Sequence, residues 1–245
     1  MSGPASIWRH TRNVFNLLLP PACALCLERL DPPDPDLFCQ NCINQIPGLK
    51  RNRCPRCALP YPAEEGAGHL CKTCLQEKKH LFTGVTAIGP YSDLLREAIH
   101  RFKYRNEINL DRPLATMLGN TLLREEIKST LLVPVPLHKN KIRQRSYNQA
   151  ALLATKISRH IGVPVAANLL TREIPGPPQQ GLSATARARN IKDAFALHGR
   201  IDGEAVLLLD DVMTTGATVR ECARTLLAGG ADAVHVAVLA RAPLR

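Results

Sequence analysis

At 245 residues the chain is long enough for one medium domain plus a small one. Its net charge of +11 points to anionic partners, nucleic acid or a polyphosphate, while aromatic residues at 4% argue against an extended base-stacking groove. No run of about 20 apolar residues marks a membrane-spanning helix. The stretch from Val14 to Leu19 is too short for one, is interrupted by Asn16 and is halted by Pro20-Pro21. It does not read as a signal peptide. It reads as an amphipathic helix that packs Ile7, Trp8, Val14, Phe15, Leu18 and Leu19 on the rest of the protein, so the expectation is a cytoplasmic chain with no membrane insertion.

Eight of the nine cysteines then fall into four CxxC pairs: Cys23/Cys26, Cys39/Cys42, Cys54/Cys57 and Cys71/Cys74. Each pair offers two thiolates from one knuckle, and two knuckles complete a tetrahedron around zinc. The expectation is two structural zinc ions, because complete four-sulfur sets leave no position for a catalytic water. Spacing allows either adjacent pairing, first with second and third with fourth, or an interleaved one. His69 and His80 are not needed as ligands. A segment this small and rich in proline has little core of its own, so metal supplies what packing lacks. The module reads either as a scaffold that docks on the second domain or as a nucleic-acid contact, the latter drawing on the cluster Lys50, Arg51, Arg53 and Arg56 around the third knuckle. Such charge clusters are often only solvated faces, so the scaffold is the simpler reading. The module is expected to span residues 1–80 and a second domain residues 81–245.

Beyond residue 80 the pattern alternates. Strands are expected near 84–89, 131–136, 204–209 and 234–240, and helices over Leu94 to Tyr104, Leu110 to Glu126 and Ser146 to Ile161. Arg101, Lys103 and Arg105 make the first helix basic, which reads mainly as a solvated helix end. After the strand at 131–136 comes a basic loop with His138, Lys139, Lys141, Arg143 and Arg145. Loops at the carboxyl ends of strands in open α/β sheets are where ligands bind, so this one suits an anion. From Thr171 to Ser183 glycines and prolines mark a long irregular excursion of the kind that forms lids or connectors. A basic helical stretch with Arg187, Arg189 and Asn190 follows and leads to Ala194-Phe195.

The stretch Ala205 to Thr218 carries the most chemistry. An apolar run ends in Asp210 and Asp211. Val212, Met213, Thr214, Thr215, Gly216, Ala217 and Thr218 then lead into a helix whose apolar face is Val219, Cys222, Ala223, Leu226 and Leu227. The first N–H groups of a helix lack internal partners and, with the helix dipole, receive a phosphate. The two acids would repel that phosphate, but suit ribose hydroxyls or a magnesium ion. A ribose 5-phosphate group satisfies both halves. There is no GxxxxGK[ST] loop or GxGxxG turn to support an NTPase or dinucleotide alternative. Cys222 reads as core.

Four apolar residues, two acids, two apolar residues and Thr-Thr-Gly-x-Thr resemble the phosphoribosyl-pyrophosphate (PRPP) signature of type I phosphoribosyltransferases. Three further segments narrow the likeness: Pro20-Pro21-Ala22-Cys23-Ala24-Leu25-Cys26; the Val133-to-His138 strand running into Arg145-Ser146-Tyr147-Asn148-Gln149; and Gln179 through Gly181-Leu182-Ser183, Arg187 and Asn190 to Phe195. Together these resemble the ComF family, a double zinc ribbon joined to a phosphoribosyltransferase domain and tied to DNA uptake in natural competence. The resemblance implies an α/β, type I phosphoribosyltransferase-like fold, a mostly parallel sheet with helices on both faces. It implies that residues 212–218 take the 5-phosphate of PRPP, that Asp210 and Asp211 take its ribose or Mg²⁺, and that His138, Lys139, Lys141, Arg143 and Arg145 take pyrophosphate. It also implies phosphoribosyl transfer to a nitrogenous acceptor, with single-stranded DNA or DNA-uptake proteins as further partners. The rival is a non-catalytic DNA-handling protein that senses PRPP. One departure stands out: the family usually has Arg-Gly-Phe-Asn-Gln where this chain has Ser146 and Tyr147. Serine matters there if the backbone needs a positive φ.

Overall fold

The computed structural model describes residues 21–30, 38–50, 52–62, 66, 68–77, 79–174, 191 and 193–243. The expected N-terminal helix with Ile7 to Leu19, the excursion beyond Ile174, and Arg187, Arg189 and Asn190 lie outside the described residues, as does Arg51.

Two short helices, α1 (Gln40–Gln45) and α2 (Lys72–Gln76), begin directly after Cys39 and Cys71. They are followed by β1 (Val85–Pro90), α3 (Asp93–Tyr104), α4 (Asp111–Arg124), β2 (Leu131–Pro134), α5 (Lys139–Arg145) and α6 (Gln149–Ile161). Then come β3 (Leu170–Arg172), β4 (Phe195–Leu197), β5 (Ala205–Met213), α7 (Ala217–Ala228) and β6 (Ala233–Arg241). Strands β1, β6, β5 and β2 lie side by side in that order, every neighbour parallel. Both edge strands end in proline, Pro90 and Pro134, where a missing N–H costs no internal hydrogen bond.

The period of two in a strand sends alternate side chains to opposite faces. Val206 and Leu208 of β5, Val234, Val236 and Val238 of β6 and Val133 of β2 pack with Val219, Cys222, Ala223 and Leu226 of α7. Leu207 and Leu209, Leu239 and Leu132 pack the other way, with Leu95, Ile99 and Phe102 of α3, Leu114 and Leu118 of α4 and Leu153 and Ile157 of α6. The two faces are thus covered by different helices, which explains why the strands read as unbroken apolar runs.

The cysteine segments join this core, one on each face. Cys23, Leu30, Phe38, Cys42 and Ile46 belong to the α3–α4 side, whereas Cys54, Cys57, Leu59, Cys71 and Cys74 belong to the α7 side. The chain crosses between them near Pro47. Its carbonyl oxygen lies 2.2 Å from where a Cβ on Gly89 would sit, so only glycine leaves room for the crossing.

Three expectations change. The strand placed at 204–209 continues through both acids to Met213, because Asp210, Val212 and Met213 keep their register with Val238, Ala240 and Arg241 of β6. The basic loop after β2 is mostly the helix α5, which His138 begins by accepting the Asn140 N–H on Nδ1 at 3.2 Å. An antiparallel pair, β3 with β4, brackets the irregular excursion.

Helix α5 ends at Ser146 with φ +66° and ψ −17°, the left-handed conformation that glycine takes without penalty. A Cβ there costs about 1 kcal/mol. Ser146→Gly is therefore expected to stabilise the protein by up to about 0.5 kcal/mol, after subtracting glycine's greater freedom in the unfolded chain. Urea unfolding of the two proteins measures it, and a loss of stability would contradict the assignment.

Candidate functional site

The eight paired cysteines form two tetrads, Cys23/Cys26/Cys39/Cys42 and Cys54/Cys57/Cys71/Cys74, with all sulfurs of a tetrad within 4.8 Å of one another. Adjacent knuckles therefore pair, and the interleaved arrangement falls. Sulfurs bound to zinc at about 2.3 Å lie about 3.8 Å apart. The observed Cys26–Cys39 and Cys57–Cys71 contacts of 3.5 and 3.6 Å fit that tetrahedron. Each tetrad also has a backbone N–H aimed at a sulfur at 3.4 Å, Cys39 to Cys23 and Cys71 to Cys54. Burial opposes ionisation of Cys23 and Cys54, yet such N–H groups bring them down to about 7 and about 6. The donor chemistry fits two structural zinc ions.

Of the basic cluster near the third knuckle, Arg53 pairs with Glu125, the residue that caps α4, at 3.6 Å and Arg56 donates to the Phe82 carbonyl at 3.0 Å. These arginines dock the module on the sheet domain, whereas Lys50 is exposed.

At the carboxyl end of β5 the two acids part. Asp210 borders a crevice of about 40 Å³ together with Ile191, Val212, Thr214, Thr215, Gly216 and Thr218. Asp211 turns to the α3 side, where Lys103 Nζ lies 2.8 Å from its Oδ1. Asp210 keeps some solvent contact, but the packing around its carboxyl is dense. Burial, then the neighbouring Asp211 charge, raises it to about 7.

The turn itself has Gly216 at φ +78° as the residue before α7. The Thr215 hydroxyl accepts the Ala217 N–H at 3.4 Å. Among the described residues the N–H groups of Thr214, Thr215 and Gly216 make no hydrogen bond. Met213 is buried, and its carbonyl is taken by the Ala242 N–H at 2.9 Å. Ala217 and Thr218 form the first turn of α7, whose leading N–H groups face the same crevice.

The expected pyrophosphate residues divide. Lys141 feels Asp211, Arg172, Arg145 and Lys103; burial first, and then Arg172 and Arg145, hold its pKa down. Arg145 reaches Tyr104 Oη at 3.2 Å, lies 4.9 Å from that ring and donates to Gln149 at 3.4 Å. His138 serves as a helix cap, and Lys139 and Arg143 are exposed on α5. Sequence reasoning missed Lys103, which it left among solvated charges, and Arg172, a buried residue of β3 whose guanidinium is 5.5 Å from the Phe195 ring. No local signal marks either one, since both acquire partners through tertiary packing. Tyr147 adds a bond that phenylalanine lacks: its hydroxyl donates to the Phe102 carbonyl at 2.5 Å, next to Lys103.

A profile described as "Double zinc ribbon domain" matches residues 14–77, and one described as "Phosphoribosyl transferase domain" matches residues 148–245. Competence protein F of Haemophilus influenzae is 34% identical over 217 residues, covering 84% of this chain and 90% of that one. This chain belongs to the ComF family. DNA utilization protein YhgH of Escherichia coli is 34% identical over 194 residues, 77% of this chain and 83% of its own. Competence protein ComFC of Bacillus subtilis is 25% identical over 205 residues, 78% of each. As a ComF-family protein the chain has the expected α/β architecture, a mostly parallel sheet with a cysteine-rich module. No described helix is long and apolar enough to cross a membrane.

The raised Asp210 has a measurable consequence. Between the ordinary carboxyl range and about pH 7 the folded chain keeps a proton that the unfolded chain has released, so stability falls as pH rises through that window. Asp210→Asn removes the titration. The variant is expected to melt above the wild type at pH 8 and level with it at pH 4. Equal melting temperatures at both pH values would show an ordinary carboxyl.

Proposed function

We propose that the crevice at the end of β5 binds PRPP and that the protein transfers its phosphoribosyl group to a nitrogenous acceptor, releasing pyrophosphate. One observation carries this reading. A turn whose N–H groups at Thr214, Thr215 and Gly216 find no partner among the described residues lies beside an acid pair, and the acid pair is ringed by Lys103, Lys141 and Arg172. A phosphate ester, a ribose diol and a diphosphate answer those three surfaces in order.

In this reading residues 1–80 form the metal-bound module and residues 81–245 the ligand-binding domain. Residues 212–218 receive the 5-phosphate, with Val212 and Met213 contributing backbone from the end of the strand and the threonines adding hydroxyls. Asp210 faces the ribose. Asp211 exchanges Lys103 for a ribose hydroxyl or for Mg²⁺, whose part is to neutralise the diphosphate. Lys141 and Arg145 draw the diphosphate toward α5, with His138, Lys139 and Arg143 at its outer end. The charge of a diphosphate also relieves the repulsion that Arg172 and Arg145 exert on Lys141. The relatives' names connect this chemistry to DNA uptake and use. A second reading, in which PRPP is sensed and single-stranded DNA is the cargo, draws on the net charge of +11.

The test is pyrophosphate release from Mg–PRPP across a panel of bases and amines. At least one acceptor is expected to support release, and Asp211→Asn is expected to weaken PRPP binding about tenfold or more by removing a charged acceptor. PRPP binding without turnover, together with salt-sensitive binding of single-stranded DNA, would favour the second reading. No calorimetric binding of Mg–PRPP would reject both.

A further inference from the structure

Arg241 ends β6 and is 2% exposed, the largest fully buried side chain among the described residues. Its Nε donates to the carbonyl of Cys57, inside the second cysteine tetrad, at 2.8 Å. The two N–H groups of its Nη1 are shared among the carbonyls of Met213 at 3.0 Å, Thr214 at 2.5 Å and Ala242 at 2.6 Å. One guanidinium therefore holds a zinc knuckle and the phosphate turn together.

Two physical points give this contact a function. The first is the planarity of the trans peptide, which aims each C=O opposite to the following N–H. Arg241 takes the carbonyls of Met213 and Thr214, and Arg220 takes that of Thr215 at 2.8 Å. Clamping these three carbonyls turns the N–H groups of Thr214, Thr215 and Gly216 the other way. These are the groups that find no partner among the described residues.

The second point is charge. Among the described residues no carboxylate pairs with Arg241, and a lone buried cation is costly. Four thiolates around a divalent metal carry net negative charge, and one of its hydrogen bonds ends on the backbone of Cys57, a member of that tetrad. Arg220 makes a parallel tie to this module: its Nε meets the Glu77 carboxylate and its guanidinium lies 5.6 Å from the Phe82 ring.

The first tetrad is connected differently. Arg101 of α3 donates to Ala24 at 2.7 Å and Leu25 at 3.1 Å, between Cys23 and Cys26, but Glu107 neutralises it at 2.5 Å. None of its contacts touches the turn.

Resting on the PRPP reading above, we infer that Arg241 is a positioning residue through which metal at Cys54, Cys57, Cys71 and Cys74 holds the phosphate turn in its receptive form. Metal in the first tetrad leaves the turn unaffected. Coupling of this kind is reciprocal, so a ligand in the crevice tightens metal in the second tetrad alone.

The experiment uses the full chain loaded with two zinc ions and titrated with Mg–PRPP. If the wild type does not bind, the PRPP reading fails and this inference with it. If it binds, Arg241→Met is expected to lower affinity about tenfold or more while keeping the zinc of the first tetrad. Unchanged affinity would overturn the inference and leave the PRPP reading standing. Should Arg241→Met not fold, the wild type still decides. Zinc release to a chromogenic chelator is followed with and without saturating PRPP, and alkylation mapping identifies the cysteines exposed. Release from Cys54 to Cys74 is expected to slow about fivefold or more, with release from Cys23 to Cys42 unchanged. Equal slowing at both tetrads, or none, would overturn the inference. A merely structural arginine gives no such selectivity.

Discussion

Strand β5 is apolar on both faces, and that constraint organises the molecule. A strand between two parallel neighbours buries both sets of its side chains, so each face needs its own cover. On one side α7 supplies it, and on the other α3, α4 and α6 do. Neither cover is complete without the cysteine segments, which divide between the faces instead of forming a separate bead. The tetrads lie within the two clusters that cover the sheet, so metal bound there would fold together with the sheet packing.

The same strand delivers the chemistry. By extending to Met213, β5 carries adjacent acids into a region where alternation sends them apart, Asp210 to the crevice and Asp211 to Lys103. Their cost to stability is offset locally by a lysine and by the backbone N–H of the following residue, 2.8 Å from Asp210 and 2.6 Å from Asp211. The cations from α3, α5 and β3 repel one another as well as attract the acids. The crevice thus gathers charges of both signs within a short distance.

Much of this was legible in the sequence, for reasons that differ by element. The four CxxC pairs announce metal through spacing alone, but which pairs meet is a fact of chain path and had to come from the structure. The Asp-Asp and Thr-Thr-Gly pattern locates the turn because a glycine with positive φ and hydroxyl residues before a helix are local features that the sequence displays directly. The extension of β5 past its acids was hidden, since carboxylates ordinarily mark the end of a strand. Helix α5 was hidden by its own charge, as an exposed basic helix has no apolar stripe to betray it. Lys103, Arg172 and Arg241 are invisible for a different reason: each gains its role from a partner far away in the chain. The concern over Ser146 was well placed, as its backbone sits at a positive φ.

The crossing at Gly89 gives the fold an unexpected point of fragility. A single hydrogen there is all that separates the strand from the carbonyl of Pro47, on the strap that connects one tetrad to the other. Replacing it with any larger residue would wedge that strap away from the sheet and strain both metal centres together. In a genetic screen such a change would pass for the loss of a cysteine, although it removes no donor and touches no ligand.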